Sequence, residues 1–365
     1  MKNKLNERIK NFNITILISL FLLLSCGSGQ LQAGKDGEAA TGGSSLSAVL
    51  MEVGRSAENA FYSFLELLSD ILGFTAKSTT KKDEVGKYFS ELGVKLGEVS
   101  KELEEVAKKS EGEGAKDGSI AVVIRAAVEA AKTTLSTLKG HLASLKDIGD
   151  AKMVGDSNTV QGVGTTPDEP KLKAAYDAFK GILEESVNAG VVKLETGITT
   201  LTAPGGADNK DGAKILSTNG NPDAGDVAKA AAILATVSGK EILASIVASQ
   251  ENDAALNAAA KAETTAMSFA KGGQAAHLAG ETNAKAAAVA GGIALRSLVK
   301  TGKLASGAAD NATGGGKEVQ GVGITAVNKL LVAVEDIIKK TVKNVLKAAK
   351  EKIDEARAPK SAGQQ

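Results

Sequence analysis

Apolar positions repeat at helical spacing along most of this chain. The most regular run is 81–109, where Val85, Phe89, Leu92, Leu96, Val99, Leu103 and Val106 alternate steps of four and three. Lys and Glu fill the positions between, so the spacing predicts a heptad-type seam that packs on neighbouring helices. A first helix is predicted over 46–73, through Val49, Leu50, Val53, Ala57, Phe61, Phe64, Leu65, Leu68 and Ile71, with Ser44-Ser45 before it and Gly73 closing it. Further helices are predicted over 119–148 (Val123, Ala127, Val128, Ala131, Leu135, Leu138, Leu142, Leu145) and 171–201 (Leu172, Tyr176, Phe179, Leu183, Val187, Val191, Leu194, Ile198). The last, 324–355, carries Val327, Leu330, Leu331, Val334, Ile337, Ile338, Val342, Val345, Leu346, Ala349 and Ile353 on one stripe, over about 48 Å of helix.

Polar, Gly-rich segments separate these runs: 110–118, 149–170, 203–226 and 306–323. Residues 227–310 differ. They are Ala-rich and read as shorter helical pieces broken by Gly272-Gly273, Gly280 and Gly291-Gly292, with a loop at about 270–283. Small side chains bury little area each, so this part is expected to be less stable and more irregular than the ends. No alternating strand pattern persists. With no Trp, 3 Tyr, 41 Gly and abundant Ala, Leu, Lys and Glu, composition agrees with an all-α fold. The pentapeptide Val-Gln-Gly-Val-Gly occurs at 160–164 and 319–323, each time reading as the close of a loop ahead of a long helix.

The N-terminus changes the picture. Lys2, Lys4, Arg8 and Lys10 precede an apolar run at 14–24, too short to span a bilayer and the right length for an export signal. Then comes Leu23-Leu24-Ser25-Cys26, which resembles the lipobox of bacterial lipoproteins, and Cys26 is the only cysteine in the chain. A thiolate is the nucleophile that a diacylglyceryl transfer needs. Cleavage between Ser25 and Cys26 would free an amine for a further acyl chain, and more than one chain makes a stable anchor. Residues 1–25 are thus expected to be a signal peptide and 26–45 a flexible tether, reaching roughly 25 Å as a random coil. One all-α domain would follow over 46–365.

Charge excludes some partners. The net charge is +1, and loss of the first 25 residues removes four basic and one acidic residue, leaving about −2. That gives no cationic footprint for nucleic acid. Catalytic and metal chemistry find little to work with. Only His141 and His277 could join Cys26 in a metal site, and nothing clusters them. Gly316-Lys317 ends a Gly run but has Asn311 where a phosphate loop needs Gly, and Glu318 where it needs Ser or Thr. Ser297-x-x-Lys300 and Lys300-Thr301-Gly302 imitate two motifs of penicillin-recognising enzymes, yet share one lysine where two are needed. The paired carboxylates Glu104-Glu105 and Glu184-Glu185 read as solvated outer faces. The chain reads as a non-enzyme without cofactor or metal. The Lys-rich final helix could bind anionic lipid, but its apolar stripe matches a bundle core better.

Three phrases carry a family resemblance. "SFLELLSDILGFTAKSTTKKDEVGKYFSELGVKLGEVSKELEEVAKK", "GADNKDGAKILSTNGNPDAGDVAKAAAILATVSGKEIL" and "VNKLLVAVEDIIKKTVKNVL" resemble the variable large proteins, the major variable surface lipoproteins of relapsing-fever Borrelia. The resemblance implies an elongated helical bundle, with long terminal helices near the membrane and loops and short helices at the distal end. It implies an outer-membrane anchor at Cys26 carrying S-diacylglycerol and N-acyl chains, exposure at the cell surface, and host antibodies as partners. Antigenic variation would be the function, with variable loops at about 110–118, 149–170, 203–226, 270–283 and 306–323. A lipoprotein adhesin that holds a host ligand on its helical body is the alternative, and a periplasm-facing structural lipoprotein a third. Unpaired heptad surface on 81–109 would also suit a homodimer.

Overall fold

The computed structural model describes residues 72–111, 119–202 and 206–357. Contacts divide the chain into residues 1–43 and a body of residues 44–365. The expected signal peptide, Cys26, the expected tether and nearly all of the predicted first helix lie outside the described residues, as do residues 112–118 of the first predicted loop.

The heptad run folds as expected. Helix α1 spans Lys82–Ser110, with Asp83 and Glu84 in its first turn and Lys108 and Lys109 in its last, matching the helix dipole. Glu84 reaches back to accept the Lys81 N–H at 2.7 Å. All seven seam residues from Val85 to Val106 are buried. Their partner is α2, Ser119–Ser144, which makes the most extensive contact with α1. The pairing is antiparallel: Glu104 of α1 meets Lys132 and Arg125 of α2, and Glu111, one residue past the end of α1, also meets Arg125. The seven seam residues are therefore buried within one chain. On α2 the inward position near the start is Ile124, fully buried, while Val123 is exposed.

Helix α3, Glu169–Asn188, is shorter than predicted. Asp168 caps it by accepting the Lys171 N–H, and Pro170 sits in its first turn. It stops thirteen residues before the predicted 201. Gly190 turns the chain at φ 79°, its N–H donating to Val187 O and the Val191 N–H to Ser186 O. That is a Schellman stop, sealed by the burial of Val191. Leu194 and Ile198 keep helical spacing, but the chain beyond Gly190 is irregular and Ile198 is 88% exposed.

The Gly-rich middle holds a 3-10 helix, Lys210–Leu216, and strand β1, Ser217–Asn219. Helices α4 (Asp226–Ala235) and α5 (Gly239–Val247) follow; at the start of α5, Ser238 and Glu241 cap each other reciprocally. Next come α6 (Ala266–Lys271), β2 (Gly273–Gln274) and α7 (Ala275–Leu278). Strands β1 and β2 pair in parallel. The predicted loop at 270–283 is therefore partly regular, and its residues Lys271 and Gly272 are buried. Residues 251–264, predicted within the helical pieces, are instead a largely exposed irregular segment.

In helix α8, Ala286–Leu298, all thirteen residues are buried. Gly291-Gly292 does not break it. A Cβ on Gly291 would stand 2.8 Å from Ala266 Cβ, and one on Gly292 2.6 Å from Phe269 Cβ. The pair is a seat for α6, and bare backbone at the contact provides the fit. Helix α8 packs against α6, α5, α4 and the final helix α9, Gly316–Arg357.

Helix α9 begins eight residues before the predicted 324 and runs for about 63 Å. The second Val-Gln-Gly-Val-Gly thus lies in a helix, where Val319 and Val322 are buried. The first is a loop: Gly162 exchanges two backbone bonds with Ser306, and Val160 is exposed. One pentapeptide takes two conformations because only the second copy has an apolar face to bury. Along α9 the predicted stripe is buried except Val345, which is partly so. These helices share one hydrophobic core, crossed by the rings of Phe74, Tyr88, Phe89 and Phe179 at centroid spacings of 4.9–6.2 Å. The fold is all-α.

Candidate functional site

The residue with the strongest chemical signal, Cys26, lies outside the described residues together with Ser25. The other motifs resolve into structural roles. Ser297 is fully buried and Lys300 is exposed, so the pair faces no common pocket. Thr301 takes a left-handed φ of 62° and is held by its N–H to Asp150 and its hydroxyl to Thr166 O. Lys317 Nζ bonds Asn311, while Glu318 accepts the Gly314 N–H and so closes the start of α9. Among the described residues no group of His, Cys, Asp and Glu could hold a metal. His141 packs against Gly181, joining α2 to α3.

Glu104 is not a merely solvated carboxylate. It accepts from Lys132 and Arg125, and these bonds hold its pKa down at about 2. Glu105 pairs with Lys108 on the exposed side. Glu184 is exposed, as expected.

Two buried cations escape a reading by apolar spacing. Lys82 donates to Val299 O at 3.0 Å and Gly302 O at 2.5 Å, tying the start of α1 to the turn after α8. Burial lowers its pKa to about 8, against the pull of Asp150 and Asp156. Arg296, on α8, is fully buried and sends Nε and Nη2 to Ala270 O at 2.9 and 2.6 Å. Desolvation lowers its pKa to about 9, so it stays charged at neutral pH. Backbone carbonyls accept the hydrogen bonds of both groups. Arg296 is visible in the sequence as the lone charge in Ala286–Leu298, a signal of a buried pin that apolar periodicity does not weigh. Glu335 of α9 is a third buried ionisable side chain. It accepts the Tyr88 hydroxyl and the Gly73 N–H, and Asn328 two turns earlier exchanges bonds with Ala76. Burial and this carboxylate push the Tyr88 hydroxyl far above its usual range.

Open clefts flank α9. One of about 810 Å³ lies between Ser238–Lys240 and the Thr325–Lys339 stretch, and one of about 450 Å³ between Gly190–Glu195 and Ile337–Asn344. Neither converges catalytic groups. What the body presents is a pinned core and exposed segments around 158–163, 219–225, 251–264 and 309–313. Among the described residues no single helix is long and apolar enough to cross a membrane.

A Borrelia lipoprotein family profile matches residues 57–353. Variable large protein 7 of Borrelia hermsii is 60% identical over 98% of this chain and 97% of its own length. The chain belongs to the Borrelia variable large protein family. Variable large protein 18 of the same species is 59% identical across the whole of both chains, and variable large protein 12 is 28% identical over 93% of this one. The crystal structure of the Lyme disease variable surface antigen VlsE of Borrelia burgdorferi superposes with a TM-score of 0.65 at 21% identity, covering 84% of this chain and 97% of VlsE. At that identity the likeness concerns the fold, which this family member shares.

Proposed function

We propose that this family member is an antigenically variable surface lipoprotein, anchored in the outer membrane through acyl chains on Cys26. It acts as a replaceable coat, without catalysis or cofactor, and its partners are the lipid of that membrane and host antibodies. Exchange of one variant for another removes the surface that antibodies recognise. The observation that carries this reading is full-length identity of 57–60% to four variable large proteins. The fold suits a replaceable coat, since helices α1, α2, α8 and α9 bury their apolar faces in one core, while exposed segments such as 251–264 carry little of it.

Two linked measurements test it. Protease added to intact cells should digest the protein, and metabolically supplied palmitate should label it. Cys26→Ser should abolish the label and release the protein from membranes. A chain left whole in intact cells faces the periplasm and overturns the surface assignment; a Cys26→Ser variant that still takes the label overturns the anchor.

A further inference from the structure

Helix α9 carries a second stripe, opposite to its core face. Between 339 and 350 it has five lysines, Lys339, Lys340, Lys343, Lys347 and Lys350, and no acidic residue. All five are exposed. At 100° per residue they fall within an arc of about 100°, along about 17 Å of helix. Three have carboxylate neighbours: Lys340 meets Asp336, Lys347 meets Glu351 and Lys350 meets Asp354. Such exposed pairs are weak and open readily. Lys339 and Lys343 have no carboxylate partner among the described residues, while in the adjoining cleft Lys193 stands with Glu195, and Lys240 is paired with Asp336. Because Val342, Leu346 and Ala349 of the same turns are committed to the core, this face cannot insert apolar side chains into lipid. It offers charge alone, on a rigid rod.

We propose that this lysine stripe rests on anionic phospholipid headgroups of the membrane that holds the anchor. The inference rests on the anchored reading of Cys26 under Proposed function. Two observations favour lipid. Charge complementarity is the first. The second is the course of the described segment before α1: Ala76 exchanges bonds with Asn328 and Gly73 donates to Glu335, one turn of α9 before Lys339, so toward its N-terminal side this segment runs along α9 in the direction of the stripe. Each lysine near an anionic surface gains about 1 kcal/mol, enough together to bias how the body leans without binding it irreversibly.

The test uses the full-length lipidated protein in vesicles of phosphatidylcholine alone, or of phosphatidylcholine with phosphatidylglycerol. Flotation with either vesicle reads the acyl anchor. Acetylation by a membrane-impermeant reagent, followed by peptide mass spectrometry, reads the stripe. Lys339, Lys343 and Lys347 should react roughly three- to tenfold more slowly on the anionic vesicles, with exposed Lys152 and Lys261 unchanged and the difference erased by high salt. The triple variant Lys339→Glu, Lys343→Glu, Lys347→Glu changes only exposed positions, and it should lose the protection at Lys340 and Lys350. Equal acetylation on both vesicles overturns the proposal. So does a soluble polysulfated polysaccharide that shields these lysines when phosphatidylglycerol does not, which would assign the stripe to a polysaccharide.

Discussion

The α1–α2 hairpin and the Ala-rich region around α8 solve the same packing problem with different means. The hairpin uses long side chains at heptad spacing, with charges from Glu104, Arg125 and Lys132 laced along its open side. The α8 region uses Ala and Gly, so its backbones approach closely and its polar links run from side chains to carbonyls: Arg296 to Ala270, Lys82 to Val299 and Gly302. In the hairpin the energy sits in apolar area. Around α8 it sits in fit and in buried hydrogen bonds, which cost more when one partner is lost than they gain when made. Regular pattern and burial are therefore separate properties, and the less patterned region here is the more completely buried.

The largest effect should come from breaking the hairpin seam. Leu96 is fully buried at its centre, so Leu96→Ala removes buried methylenes and leaves a cavity. A loss of about 2–5 kcal/mol is expected, measured by denaturant unfolding at neutral pH. A cost below about 1 kcal/mol would show that the seam is loosely packed and that stability lies mainly around α8.

The pin at the other region should answer to pH. Folded Lys82 titrates near 8, the unfolded chain near 10.5. Between those values the unfolded state holds a proton that the folded state lacks, so stability rises with pH across that window and is level below it. Relative to Lys82→Met, the wild type should gain on the order of 3 kcal/mol from pH 8 to 10.5. Parallel pH profiles of the two proteins would mean that Lys82 stays fully charged in the carbonyl cage.

How much of the fold is legible in the sequence follows from which force decides each element. Helix α1 is legible to within a residue or so because its seam is decided by local periodicity, and the buried stripe of α9 is legible for the same reason. The end of α3 and the start of α9 mislead where periodicity and backbone disagree. Gly190 stops α3 although Val191, Leu194 and Ile198 keep the spacing, and residues 316–323 become helical although they look like loop. Gly291-Gly292 reads as a break because glycine weakens an isolated helix; contact with α6 reverses the sign, and apolar spacing along one strand of sequence carries no sign of that contact. The lysine stripe requires knowing which face of α9 the core has taken.

The smallest effect belongs to the hairpin's outer charges, and it runs at the opposite end of the pH scale. Glu104 titrates near 2 when folded, held down by its hydrogen bonds from Lys132 and Arg125, against 4.5 unfolded. Its contribution is complete above 4.5 and is lost as pH falls from there toward 2. Glu104→Gln should therefore leave the shape of the alkaline limb, where Lys82 acts, unchanged and flatten the acid limb. The group is open to water, so the change should be small beside that of Leu96→Ala and should shrink further in high salt. An acid limb that survives Glu104→Gln intact would place the hairpin's acid sensitivity in carboxylates other than Glu104.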